Sequence, residues 1–224
     1  MAKARINKLF FGIFPAFALL VSKSMLFAEI GGEVVPPSFE KLPSAYTVSY
    51  GDQSAPIHMT EYFSFSCPKC LEFIRRDFPT IQSKYINTGK VYWTFHPDPA
   101  DILTLQTMVC FELLDNLEKQ SLIEKLAGEI RLRSIKKACF KMQEEMNALG
   151  KPIPTLHDLS FLEKTEAFNR AYAYLKQPNV PSELPTIEAN GFLYSNFPTL
   201  DFLNRLSETL MTKETGALIH EKTS

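Results

Sequence analysis

Two cysteines separated by two residues, in the run Cys67-Pro68-Lys69-Cys70, are the residues of this sequence with the clearest chemistry. Such a pair can form an internal disulfide, pass it to another protein and take it back. The same spacing also occurs in metal sites, so the pair by itself indicates either redox chemistry or metal binding. A purely structural disulfide explains it poorly, because so short a gap closes only a small loop and stabilises a fold little.

The segments around the pair predict a strand followed by a helix. Ile57–Phe65 is largely apolar on both faces, as in a central strand, and Leu71–Tyr85 has apolar residues at helical spacing, with a kink predicted at Pro79. This context places Cys67 at a helix N-terminus, where partial positive charge favours a thiolate. We therefore expect Cys67 to be the nucleophile. Cys70, one helical turn further on, is expected to be shielded and to close or resolve a mixed disulfide.

Three neighbouring residues bear on this chemistry. Pro68 suits the first helical turn because it has no N–H to leave unpaired. The cation of Lys69 either favours the thiolate or stays in water, where its effect is screened, and the sequence leaves both interpretations open. Glu61 lies six residues before Cys67 in an otherwise apolar strand, and burying a carboxylate is costly. It has either a chemical task or an exposed position at the end of the strand.

The other two cysteines, Cys110 and Cys139, lie on or beside the apolar stripes of two predicted helices. Buried free cysteines are common, so packing alone would account for them. On facing helices in an oxidising compartment they would instead form a disulfide, and closing that loop of about 30 residues would add roughly 3–4 kcal/mol. We favour the structural disulfide. We expect no metal, because the two pairs fall in different parts of the chain and the histidines lack finger-like spacing.

The order of the elements predicts an α/β protein with a central mixed sheet and an inserted block of helices. A strand–helix–strand unit around the cysteine pair predicts two parallel strands. Amphipathic stripes then predict about four helices, two of them begun by the capping boxes Ser121-x-x-Glu124 and Ser160-x-x-Glu163. The chain returns to strands that flank residues 190–191, Asn-Gly, the dipeptide preferred in tight hairpins because both positions need positive φ.

The N-terminus predicts export from the cytoplasm. Lys3, Arg5 and Lys8 precede an uncharged apolar run, Leu9–Val21, and the small residue Ala28 follows. This arrangement is typical of a secretory signal peptide. The apolar run is shorter than the roughly 20 residues that span a bilayer, and an uncleaved membrane anchor is the alternative.

The chain resembles the DsbA-like branch of the thioredoxin superfamily. The resemblance rests on two motifs, residues 61–70 (Glu61 to Cys70) and residues 184–187 (Leu184-Pro185-Thr186-Ile187), together with the order of the elements. It implies a thioredoxin fold with an inserted helical subdomain, and no cofactor besides the redox-active disulfide. The implied segments are a signal peptide at 1–28, an extended leader at 29–44, the first part of the thioredoxin fold at 45–98, the helical insertion at 99–182, the second part at 183–213 and a tail at 214–224.

The resemblance also implies roles for residues near the cysteines. In the family, an acid at the position of Glu61 lies beneath the active site and helps to move the proton of the inner cysteine, here Cys70. Lys69 stands where strongly oxidising members have His, so the strength of the oxidant is left open.

A second implied site is the segment Leu184-Pro185-Thr186. Pro185 is expected to follow a cis peptide bond, with Leu184 facing Cys67 and Thr186 continuing into a strand. Backbone groups there would pair with an extended substrate chain and so tolerate many sequences. Leu184 stands where Val or Thr is more usual, which leaves substrate preference open.

These features lead to one main functional hypothesis and two alternatives. The main hypothesis is a periplasmic protein disulfide oxidoreductase that donates the Cys67–Cys70 disulfide to reduced or misoxidised exported proteins and is reoxidised by a quinone-linked membrane oxidase of the DsbB type. The first alternative is a reductase or isomerase kept reduced by a membrane donor. The second is a chaperone-like module that binds substrates without redox turnover. The 24 basic and 25 acidic side chains nearly balance, which gives no reason to expect nucleic acid as a partner.

Overall fold

The computed structural model describes residues 33–34, 42–98, 101–129, 135–153, 155–175, 184–194, 200–206 and 208 of the 224-residue chain. The predicted signal peptide and the C-terminal tail lie outside these residues.

The described strands form one mixed sheet in the order β1-β6-β5-β3-β4-β2. Their bounds are β1 Glu33–Val34, β2 Val48–Tyr50, β3 Ile57–Phe63, β4 Val91–Pro97, β5 Thr186–Ala189 and β6 Phe192–Tyr194. The central strands β3 and β4 are parallel, and the other neighbours are antiparallel. The predicted mixed sheet and its parallel pair are therefore confirmed. β1 was not predicted as a strand. It lies in the predicted leader and pairs with β6 over two residues.

Helices lie between β3 and β4, between β4 and β5, and after β6. Their bounds are α1 Pro68–Arg76, α2 Phe78–Ile81, α3 Ile102–Phe111, α4 Asn116–Glu129, α5 Ile135–Ala148, α6 Leu159–Leu162, α7 Glu166–Leu175 and α8 over residues 200–206, with a π-helical turn at Gln82–Ile86 directly after α2. The predicted helix Leu71–Tyr85 is thus three pieces. The first break is at Asp77, two residues before Pro79, as expected when a proline disfavours the helix that precedes it.

Aromatic side chains of α1 and α2 pack against aromatic side chains of the sheet. Phe73 of α1 stacks on Trp93 of β4 with ring centroids 5.9 Å apart, and Phe78 of α2 meets Phe95 edge-to-face at 4.7 Å. All four side chains are buried. Such large apolar surfaces dominate core energetics and fix where α1 begins relative to β3.

The helices between β4 and β5, α3 to α7, form a second layer that we call the helical insertion. Its central helix is α3, in which every residue from Leu103 to Phe111 is buried. The predicted capping boxes in the insertion are wrong. The box at the start of α4 is Asp115 with Glu118, which exchange hydrogen bonds of 2.8 and 2.9 Å. The helix predicted to begin at Ser160 is two helices, because Asp158 caps the short α6 and Thr165 accepts a hydrogen bond from the Phe168 N–H at the start of α7.

Two of the turns with positive φ adjoin strands of the sheet. Asn190 and Gly191 have φ of 46° and 88° between β5 and β6, so the predicted hairpin is confirmed. Gly51 ends β2 with φ of 88°, and a Cβ there would lie 2.8 Å from the carbonyl oxygen of Val91. The close approach of β4 and the positive φ together require glycine at position 51.

Candidate active site

The end of β3 and the start of α1 present the two cysteines. Cys67 is the N-cap of α1, with an extended backbone (φ −91°, ψ 108°), and its sulfur accepts a hydrogen bond of 3.3 Å from the Cys70 N–H. Pro68 occupies the first helical position, where its missing N–H costs nothing. Cys67 is partly exposed and Cys70 is fully buried. An incoming thiol can therefore reach Cys67, whereas Cys70 is shielded as expected.

The surroundings of Cys67 favour its thiolate. The hydrogen bond from the Cys70 thiol is the largest influence that lowers its pKa, and the backbone amides of Cys70 and Lys69 add to it, so the pKa falls from 9.0 to about 6 although partial burial opposes the change. The cationic charge of exposed Lys69 also lowers this pKa, but less than the hydrogen bonds do. Helix-terminal amides, more than the lysine, therefore stabilise the charge.

The pKa of Cys70 moves in the opposite direction. Its hydrogen bond to Cys67, its burial and the nearby carboxyl of Glu61 all raise it well above the ordinary value, and only a backbone hydrogen bond from Ser64 opposes them. The two sulfurs are thus differentiated, since Cys67 carries the negative charge and Cys70 keeps its proton. This is the division of roles expected of a nucleophile and its shielded partner.

Glu61 is fully buried in β3, so the alternative of an exposed strand end is wrong. Its register partners are Phe95 on β4 and Ile187 on β5. Neither carboxyl oxygen has a hydrogen-bond partner among the residues that the structure describes. Burial raises its pKa well above the usual range, and the Cys67 charge adds to the effect. Burial therefore favours the protonated form of this carboxyl, which lies close enough to both cysteines to influence their charge.

The Leu184–Pro185 peptide bond is cis, as expected. β5 follows at Thr186, which is the register partner of Tyr62 on antiparallel β3. That register brings Pro185 to the end of β3 from which the chain continues to Cys67. Leu184 and Pro185 are partly exposed, while Thr186 is buried. The two segments that carried the resemblance therefore lie at the same end of the neighbouring strands β3 and β5.

A carboxylate that the sequence reasoning did not identify joins the loop before Cys67 to the helical insertion. Asp101, the N-cap of α3, accepts hydrogen bonds from the Thr104 N–H at 2.9 Å and from the Thr104 hydroxyl at 2.6 Å. It also accepts hydrogen bonds from the hydroxyls of Ser66, at 3.1 Å, and of Ser64. The pattern of an aspartate three residues before a threonine signals a helix start, but its contact with residues 64 and 66 is long-range and has no local signal.

Comparison with known proteins places this geometry in a family. The family model described as Thioredoxin matches residues 44–201. The chain belongs to the thioredoxin family. No curated protein matches the sequence significantly.

Solved thioredoxin-fold structures with a DsbA-type arrangement are similar to this chain. BdbD from Bacillus subtilis, in its oxidised form, is 18% identical, with 79% of this chain and 97% of that chain covered and a TM-score of 0.55. α-DsbA1 from Wolbachia pipientis is 20% identical, with 82% and 96% covered and a TM-score of 0.56. A protein-disulfide isomerase from Novosphingobium aromaticivorans is 17% identical, with 71% and 94% covered and a TM-score of 0.51. At these identities the likeness shows the fold, and it confirms the predicted thioredoxin fold with inserted helices.

All four cysteines, Cys67 and Cys70 included, are free thiols in the structure, and the disulfide that we favoured between Cys110 and Cys139 stays a prediction. The Cys139 thiol donates a hydrogen bond of 2.8 Å to Oε1 of Gln106, so its sulfur is engaged elsewhere. Burial raises the pKa of Cys139 to about 11 and that of Cys110 well above its ordinary value. Disulfide formation needs a thiolate, which neither environment supports.

In the described ranges, no group of three or more His, Cys, Asp or Glu side chains is arranged to hold a metal ion. None of the helices within those ranges is long and apolar enough to cross a bilayer.

Proposed function

We propose that this thioredoxin-family protein is a thiol–disulfide oxidoreductase that donates the Cys67–Cys70 disulfide to exported proteins. The opposite pKa displacements of two cysteines one helical turn apart carry the proposal, since the Cys67 pKa falls to about 6 while that of Cys70 rises. A low-pKa sulfur is a good leaving group and makes the reduced form stable, which makes the disulfide an oxidant.

The reaction follows from the exposure of the two sulfurs. A substrate thiolate attacks the sulfur of Cys67 in the oxidised protein, a substrate–Cys67 bond forms, and the Cys67–Cys70 bond breaks with its electron pair on Cys70. The leaving Cys70 sulfur takes up a proton, and the proposed donor is the buried carboxyl of Glu61, whose raised pKa favours its protonated form. A second substrate thiolate then attacks the substrate sulfur of the mixed disulfide and releases Cys67 as a thiolate. The substrate loses two electrons and the protein gains them.

Leu184, Pro185 and Thr186 are the proposed substrate-binding residues. Leu184 and Pro185 are partly exposed just before β5, beside the end of β3 from which the chain continues to Cys67. An extended chain that paired with the backbone there would bring its own cysteine toward Cys67. Recognition through the main chain suits an enzyme that serves many substrate sequences.

The proposed location is the periplasm, and the signal-like residues 1–28 support it. A protein that gives away its disulfide must be reoxidised, and the proposed partner is a quinone-linked membrane oxidase of the DsbB type. In the reverse direction, as a reductase or isomerase, the partner would be a membrane reductant.

Equilibration of the purified protein in glutathione buffers tests the direction of electron flow. We expect a reduction potential of about −120 mV, typical of a strong oxidant, and a value of about −270 mV would contradict the oxidase assignment. Oxidation of a reduced model protein tests the class. Replacement of Cys67 by Ser should abolish turnover, whereas the Cys110→Ser variant, a control in a buried cysteine away from the site, should retain it. A binding module without redox turnover would leave the model protein reduced even in the presence of wild type, and retained oxidation by Cys67→Ser would contradict the role of Cys67.

A further inference from the structure

The carboxylate of Asp101 connects two parts of the molecule. It caps α3, the central helix of the insertion, through both hydrogen bonds from Thr104. The same carboxylate accepts the hydroxyls of Ser64 and Ser66, which lie on the loop between β3 and Cys67. One side chain therefore holds the loop of the thioredoxin core against the first turn of the insertion.

Ser64, the inner of the two serines, contacts the active site through its backbone. Its carbonyl oxygen accepts the Cys67 N–H at 3.1 Å, and its backbone hydrogen-bonds the sulfur of Cys70. Its hydroxyl, while donating to Asp101, also accepts the Ser66 N–H at 2.9 Å. Ser64 is buried. Its orientation thus governs the position of both cysteines, and Asp101 is the group that orients its hydroxyl.

We infer that Asp101 is a positioning residue for the dithiol site, which acts through Ser64 to hold Cys67 in line with the first amides of α1. The inference deepens the proposed function, on which its relevance to catalysis rests. Asp101 does not touch the sulfurs. It fixes the loop whose geometry lets the amides of Lys69 and Cys70 reach the Cys67 sulfur.

Two physical roles of Asp101 predict opposite results. As a negative charge near Cys67, Asp101 would disfavour the thiolate, so its removal would lower the Cys67 pKa. As a positioning residue, it maintains hydrogen bonds to the thiolate, so its removal would raise that pKa. The direction of the change therefore identifies the role.

The variant that tests the inference is Asp101→Asn. Asparagine caps helices as well as aspartate does, so its oxygen can keep the Thr104 N–H and the Ser66 hydroxyl, but an amide nitrogen in place of Oδ2 cannot accept the Ser64 hydroxyl. The matched control is Asp158→Asn. Asp158 also caps a helix of the insertion and also accepts a serine N–H and hydroxyl, at 3.0 and 2.7 Å, but those groups belong to Ser160 in its own helix.

The measurement is the pH dependence of alkylation of Cys67 in the reduced protein, which needs no assumption about oxidase or reductase activity. We expect the midpoint of Asp101→Asn to rise by roughly half a pH unit or more, and that of Asp158→Asn to stay at the wild-type value. An unchanged or lowered midpoint in Asp101→Asn would overturn the inference. The turnover assay on the wild-type protein tests the proposed function, and the alkylation midpoint of the variant tests the positioning role. A failure of either claim would therefore appear in a different experiment.

Ser64→Ala provides a second test, including the case in which Asp101→Asn does not fold. It removes the hydroxyl through which Asp101 is proposed to act, so its midpoint should also rise, and the double variant should resemble either single variant. Additive shifts in the double variant, or no shift in Ser64→Ala, would contradict the route through Ser64.

Discussion

The low pKa of Cys67 should depend on the thiol of Cys70 more than on any other group. The hydrogen bond from that thiol heads the influences that lower the Cys67 pKa from 9.0 to about 6. At 1.36 kcal/mol per pH unit, the whole change corresponds to about 4 kcal/mol, and screening at this partly exposed sulfur reduces it to roughly 2 kcal/mol. A hydrogen bond to a charged group is worth about 1.5–3 kcal/mol, or about one to two pH units.

Two substitutions of Cys70 separate the hydrogen bond from the rest of the side chain. Cys70→Ser keeps a donor of similar size, whereas Cys70→Ala removes the donor. We expect the midpoint of Cys67 alkylation to rise by about one pH unit or more in the alanine variant and by clearly less in the serine variant. Because Cys110 and Cys139 are buried, alkylation of either folded variant reports on Cys67.

Equal midpoints in the alanine and serine variants, or a midpoint in Cys70→Ala no higher than in wild type, would refute this reasoning.

The pH dependence of the stability of the reduced protein checks the direction of the Cys67 pKa shift. The folded-state pKa lies below the unfolded value, so the thiolate's contribution to the stability of the reduced protein is fully present above pH 9 and is lost as the pH falls through about 6. Denaturant unfolding of the reduced protein across that range measures it.

Three further experiments, two with substitutions and one on the wild-type protein, test separate parts of the structure. Glu61→Gln should slow disulfide transfer roughly tenfold or more in a rapid-mixing assay, because the proposed proton donor is lost. The same variant should gain stability over wild type as the pH rises above 4.5, where only the unfolded carboxyl ionises. A difference in urea midpoint between variant and wild type that is the same at pH 5 and pH 8 would contradict the raised pKa. Oxidised protein, denatured and titrated with a thiol reagent, should show the two thiols of Cys110 and Cys139, whereas a structural disulfide would leave none. Gly51→Ala should cost about 2 kcal/mol or more of unfolding free energy because of its positive φ and the contact with Val91, while Gly128→Ala, in open helix, should not destabilise.

The sequence predicted the parts of the site that depend on local pattern. Cys67 at a strand-to-helix junction, Pro68 in the first turn and the hairpin at Asn190 follow from spacing and from backbone preferences that act over a few residues. The burial of Glu61 was left open because a single acid in an apolar strand has two physical explanations. The cis bond before Pro185 came only from the resemblance, since most X-Pro bonds are trans.

The remaining features depend on side-chain directions and distant contacts. Whether Cys139 points to Cys110 or to Gln106 is decided by how α3 and α5 pack, which no helical stripe specifies. The capping boxes were misplaced because a Ser or Asp followed three residues later by Glu occurs more than once, and only helix packing decides where α4 begins. The contact between Asp101 and Ser64 joins residues 37 positions apart in the chain and cannot be read from either neighbourhood.

The central claim is that substrate proteins form a mixed disulfide with Cys67, the exposed cysteine, after Cys70 has left. The direct measurement uses a Cys70→Ser variant that carries a small thiol as a mixed disulfide on Cys67. It is mixed with a reduced substrate protein that has a single cysteine, so that no second substrate thiol can release Cys67, and the trapped complex is mapped by mass spectrometry. We expect a stable disulfide between the substrate and Cys67, and no such complex from Cys67→Ser treated in the same way. Substrate bonded to Cys110 or Cys139, or no trapped complex at all, would contradict the account.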